Sequence, residues 1–234
     1  MGLHIDRGIL VLAASAAAAA FLYSFVFWQA YPPIYNANSP QVGSDAARFD
    51  AVVFLDYSAL SNAVFVRGVI EPVIKDYRGS VRFVFKVLPT DSRCNPETNS
   101  EAVSCTMAEA LLCAHAQGKY FEYAGTVVDL MLASAKDMPE SAGQQVVYNF
   151  SEEEAGLLAA AVGLDRERLA ACIKGHDALP EIRNNAIEGR LYYLEHVPWV
   201  LVNRSAVPFH EGATVQESYL LLKGAIEKEL NKNG

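Results

Sequence analysis

Two short apolar runs that bracket a single amphipathic helix do most to limit the folds open to this chain. Residues 51–55 (A-V-V-F-L) are apolar without a break, as suits a strand covered on both faces. Residues 81–87 (V-R-F-V-F-K-V) alternate with period two and stop before Pro89, which predicts a second strand. Between them, Val66, Val69, Val73 and Ile74 recur at helical spacing over residues 61–77, and Gly79 ends the pattern. Strand, helix and strand in so short a span form a βαβ unit, and its right-handed crossover makes the two strands parallel.

The next hundred residues read as helical. Periodicity predicts helices over 101–117, closed by Gly118, and over 120–133. Ser151 and Glu154 form a capping box that opens a helix ending at Gly163. Two more follow over 165–173 and 180–194. Strands return at 199–202 and 207–209, separated by a turn at Asn203-Arg204-Ser205, and a last helix covers 215–230. The fold class is α/β, in the order βαβ, helical block, ββα. One domain over 49–231 accounts for it, with the helical insertion at about 101–194.

The N-terminus carries a different signal. Residues 8–28 hold no formal charge, and about 20 apolar residues are enough for a helix to cross a hydrocarbon core. Trp28 and Tyr31 fall where an aromatic belt would lie. A cleaved signal peptide is the rival reading, because the alanine tract offers cleavage sites. The apolar residues beyond that tract make a poor mature start, so an uncleaved signal-anchor over 1–31 is expected. Arg7 precedes the span and the next basic residue is Arg48, which favours an external C-terminal domain. The expected location is a single-pass protein of the inner or plasma membrane, its domain extracytoplasmic (periplasmic). Residues 32–48, with Pro32, Pro33, Pro40 and Gly43, read as a linker. The net charge of −8 comes without any basic stripe, so no nucleic-acid partner is expected.

Three segments resemble the DsbA family of thioredoxin-like proteins. F-L-D-Y-S-A-L-S-N-A-V-F (54–65) is similar to the strand-to-helix turn in which that family carries C-P-x-C. F-K-V-L-P-T-D-S-R-C-N-P (85–96), followed by Q-G-K-Y-F-E-Y (117–123), is similar to its membrane-tethered members. H-V-P-W-V-L-V-N (196–203) resembles its cis-proline strand. The resemblance implies a thioredoxin-like fold with an inserted helical domain, and a cis bond between Val197 and Pro198. It also implies a peptide-binding ledge at Val197, Pro198, Trp199 and Leu60. The departure is chemical. Where the family has C-P-x-C, this chain has Ala59, Leu60, Ser61 and Asn62, with no thiolate to attack a disulfide. Ser61 and Asn62 are expected to cap the helix instead.

Four cysteines lie elsewhere: Cys94, Cys105, Cys113 and Cys172. None has C-x-x-C or metal-ligand spacing, so neither zinc nor any other metal or cofactor is expected. Cys105 and Cys113 are eight residues apart on one predicted helix, ~12 Å along its axis, too far to bridge. Cys94, in the Pro-flanked loop that leads into that helix, can fold back onto Cys105 near its start, which leaves Cys113 for Cys172; these are the expected disulfides. A pseudoenzyme follows: a scaffolding or chaperone-like module that binds a protein or an extended peptide, including within a membrane protein complex. The alternatives are a thiol–disulfide oxidoreductase working through Cys94 and Cys105, and a serine-using enzyme like the kappa-class glutathione transferases. For the second, Ser58 and Ser61 flank the critical position.

Overall fold

The computed structural model describes residues 38–100, 103–137, 148–210 and 212–232. A mixed five-stranded sheet in the order β1-β3-β2-β4-β5 forms its centre. β2 (Asp50–Leu55) and β3 (Arg82–Val87) pair in parallel, as their crossover requires. The crossover is one continuous helix made of α1 (Leu60–Phe65), a π turn (Val66–Ile70) and α2 (Glu71–Tyr77). Gly68, in the π turn, faces Val215, whose Cγ1 would lie 2.5 Å from a Cβ at that position.

β4 (Trp199–Val202) runs antiparallel to β2, and β5 (Ser205–Ala206) antiparallel to β4. The final strand was expected at 207–209 and lies earlier. Asn203 and Arg204 both have positive φ, 47° and 68°, and form a two-residue hairpin turn. Val207 still donates to Val200 O at 2.9 Å, but Pro208 has no N–H and pairing ends there.

Residues 32–48 were expected to be a tether, yet β1 (Gln41–Gly43) lies within them and pairs antiparallel with β3. Pro40 O accepts the Phe85 N–H at 2.8 Å. Gly43 has φ 124°, and a Cβ there would sit 2.3 Å from Val81 O. A three-residue edge strand takes its register from its neighbour, so its own sequence shows little pattern.

The strand register sorts the two sheet faces. Ala51, Val53 and Leu55 stand beside Phe83, Phe85 and Val87 on one face and belong to the main hydrophobic core. The first helix and α8 (Val215–Asn231) supply Val69, Ile70, Leu222 and Ile226 to it. The other face carries Val52, Phe54, Val84 and Lys86. The fully buried Lys86 ammonium meets Glu188 at 2.9 Å, on α7 (Leu179–Leu191).

The insertion contains α3 (Cys105–His115), α4 (Tyr120–Ser134), α5 (Glu152–Ala161) and α6 (Arg166–Gly175), followed by α7. The Ser151–Glu154 capping box is formed in both directions. The helix expected from residue 101 begins at Cys105 because an outside carboxylate caps it: Asp91 Oδ2 accepts the Ser104 and Cys105 N–H groups at 3.1 and 3.3 Å. Among the described residues no helix is long and apolar enough to cross a membrane. The span expected over 8–28 lies outside them.

Candidate functional site

The strand-to-helix turn is organised by Asp56, the first polar residue after the apolar run of β2. Its carboxylate is buried. Oδ1 accepts the Ser58 N–H at 3.0 Å and the Ser58 hydroxyl at 2.6 Å. Oδ2 accepts the Thr90 N–H and hydroxyl at 2.8 and 2.9 Å, tying the turn to the loop after β3. An Asp whose side chain bonds two residues ahead is a common turn device. Asp56 was missed as a site residue, although D-x-S directly after an apolar strand is the signal for it.

Ala59 is the N-cap of α1 and has no side chain to cap with. The expected capping by Ser61 and Asn62 is not what is seen. Asn62 is buried, and its Oδ1 reaches backwards to accept the Asp56 N–H at 3.2 Å, while its Nδ2 donates to Ser61 Oγ at 3.4 Å. Counting inward from Ala59, both residues are already inside the helix, so the acceptor of the first turn would have to stand where an alanine stands. Ser58 is likewise spent on Asp56. Tyr57, in the same turn, sits against Tyr120 with hydroxyls 3.1 Å apart. Burial pushes both phenols up, so neither is an ionised nucleophile near neutral pH.

The turn opens onto a groove of about 680 Å³ between the start of α1, the entrance to β4 and the start of α8. Leu60, Val64, Phe65, Phe209 and Val215 supply apolar lining, and Ser61, Val197 and Pro198 complete the near wall. Phe65 and Phe209 meet edge to face, centroids 5.2 Å apart. The Val197–Pro198 bond is cis. Pairing of β4 with β2 begins at Trp199, and neither the N–H nor the C=O of Val197 has a backbone partner among the described residues. Trp199, expected on the ledge, does not line the groove. It pairs with Phe54 and so shares the opposite sheet face with Lys86. Val64, Phe209 and Val215 had not been expected in the site: they lie in three separate segments that no spacing in the sequence connects.

The disulfides lie in the insertion and the loop leading to it. Cys94 is joined to Cys105 (S–S 2.14 Å) and Cys113 to Cys172 (S–S 1.97 Å). Cys94 and Cys105 are only 3% and 8% exposed, whereas Cys172 is half-buried. Asp91 lies against the first pair. Its carboxylate is held below the usual range: burial alone would raise it, but the Arg93 side chain and the Arg93 and Cys105 N–H groups outweigh that. Asp91, Cys94 and Cys105 bring three potential ligand atoms within 4.8 Å of one another. With the sulfurs bonded together and the carboxylate taken up by N–H donors, the cluster is built as a loop brace.

Beside the second pair, Glu109 is buried one turn before Cys113, and both its oxygens lie 3.1 Å from Nδ1 of His176, one turn after Cys172. Burial raises the Glu109 carboxyl above its ordinary value, and His176 only partly offsets this.

Several solved structures share this architecture. BdbD from Bacillus subtilis, in its oxidised form, superposes with a TM-score of 0.63 at 18% identity, covering 83% of this chain and 94% of BdbD. A thioredoxin-like oxidoreductase from Silicibacter pomeroyi gives 0.60 at 20% identity, over 84% and 94%. DsbA from Chlamydia trachomatis gives 0.59 at 17%, again over 84% and 94%. At these identities the likeness establishes the fold: thioredoxin-like, with the helical insertion of DsbA. No curated protein matches the sequence. The family model described as thioredoxin matches residues 36–221, which span the sheet, the turn, the groove and both disulfides, and the chain belongs to that family.

Proposed function

We propose that this chain binds extended segments of other proteins without exchanging disulfides with them, and does so from a membrane anchor on the extracytoplasmic side. The observation that carries the reading is the groove. It has an apolar floor and an unpaired backbone edge at Val197, which together suit strand addition with side-chain pockets. The helix N-terminus beside it offers Ala59, Leu60 and Ser61, none of them a thiol. Thiol–disulfide exchange needs an accessible sulfur and a thiolate. Cys94 and Cys105 are paired, which favours the oxidoreductase alternative, but their burial opposes it. The serine-using alternative has little to work with, since Ser58 Oγ is bonded to Asp56. Residues 8–28 are the expected anchor, and a protein or peptide is the expected partner.

The test is binding of a permanently unfolded client whose cysteines have been alkylated, such as carboxymethylated α-lactalbumin. The full chain should bind it, and Val64→Glu, at a position already 38% exposed, should weaken binding at least about tenfold by placing a charge on the apolar floor. Binding that is unchanged in Val64→Glu, in a variant that remains folded, removes the groove as the site.

A further inference from the structure

We infer that the hollow that shares His196 and Val197 with the groove is a second subsite of the same surface, and that it takes a lysine or arginine side chain of the bound segment. The inference rests on the reading of the groove as a peptide site. His196 and Val197 line both cavities, so a chain laid along the unpaired edge of Val197 reaches each of them. The hollow measures about 430 Å³, and its chemistry differs from that of the groove. Among the groove's described lining residues, only His196 and His210 are titratable. Around the hollow stand Glu97, Glu195, Thr90, Asn95, Tyr193 and Arg190.

The charges do not balance. Arg190 is the cation of the set and lies 3.6 Å from Glu97, a loose pair with the guanidinium 64% exposed. Glu195 is exposed and has no ion pair or side-chain hydrogen bond among the described residues. One carboxylate is thus left over at the rim, in a chain whose other nearby site is apolar. An exposed ring lines the same hollow. Tyr193 is 77% exposed and has φ 54°, a conformation that suits glycine better than an aromatic residue. It is held there by the Tyr193 N–H to Arg190 O and the Leu194 N–H to Gly189 O, both 3.0 Å. A carboxylate beside an open aromatic face is a site for an ammonium or guanidinium group, which both attract. The bound segment therefore carries an apolar residue for the groove and, a few residues along, a basic one for the hollow.

The test uses the full chain in mild detergent and a set of labelled nonapeptides. One phenylalanine is fixed, and lysine, glutamine or glutamate is stepped through the remaining positions. At one register, lysine should bind about threefold tighter than glutamine and glutamate weaker than either, with the spread shrinking in high salt. Glu195→Lys should reverse the order. Tyr193→Gly, which suits the local φ, should keep its melting temperature and lose the lysine advantage. If lysine, glutamine and glutamate bind alike at every register while replacing the phenylalanine with serine abolishes binding, the second subsite is wrong and the groove stands. If no peptide of the set binds, both are wrong.

Discussion

Asn62 Oδ1 accepts the backbone N–H of Asp56 at 3.2 Å, so the side chain standing where the DsbA-like pattern has its second thiol is spent inside the turn. Asp56 in turn clamps Ser58 and Thr90. Asn62→Ala leaves a buried N–H without an acceptor and should cost about 1–3 kcal/mol, read from urea unfolding of the full chain. The same argument bears on engineering. Installing Ala59→Cys and Asn62→Cys together should lower stability by a similar amount, because a cysteine at 62 is a poor acceptor for Asp56. A double variant as stable as the parent would show that the Asn62–Asp56 bond contributes little.

The two disulfides should differ in both energy and access. Cys113 and Cys172 are separated by 59 residues and Cys94 and Cys105 by 11. Loop-closure entropy then gives about 4 kcal/mol for the first and about 3 kcal/mol for the second. Access follows exposure: Cys172 is half-buried, while Cys94 and Cys105 are nearly covered. Under limiting reductant in the native state, alkylation and peptide mapping should find Cys172 labelled first, its partner Cys113 being buried. Earlier labelling of Cys94 would reverse the order and revive the oxidoreductase alternative.

Glu109 sets a dependence on pH. Its carboxyl is raised in the folded state, first by burial, despite His176 beside it and with Glu152 adding to the rise. An acid with a raised folded pKa binds its proton more tightly folded than unfolded, so its contribution to stability falls as pH rises through that value. Glu109→Gln should therefore melt higher than the parent at pH 7, with the difference closing as pH falls toward the ordinary carboxylate range. Asp91 has the opposite sign. Its lowered pKa adds stability above the ordinary range that is lost as pH drops through the folded value. Asp91→Asn should thus be destabilising at pH 7 and progressively less so in acid.

The parts of the fold legible in the sequence are those where burial imposes a period. Residues 51–55 and 81–87 read as strands because the sheet covers them, and Ser151 with Glu154 read as a helix start because the cap is local. β1 was not legible, since its three residues are strand only by pairing with β3. The start of α3 was misplaced because its cap, Asp91, lies outside the helix. In the site, Ala59 and Pro198 were found through a resemblance that follows chain order. Val64, Phe209 and Val215 come from separate segments and converge only in the folded chain. Trp199 was placed on the ledge by the same resemblance, and strand alternation turns it to the other face.

The central claim, binding without thiol chemistry, is tested most directly by offering one client peptide in two forms, with a pair of free thiols and with both thiols alkylated. Affinity and disulfide formation are measured together on the full chain. Equal affinity for the two forms, with no oxidation of the dithiol above the buffer rate, is the predicted result. Oxidation of the dithiol peptide by the parent that disappears in Cys94→Ser would contradict it.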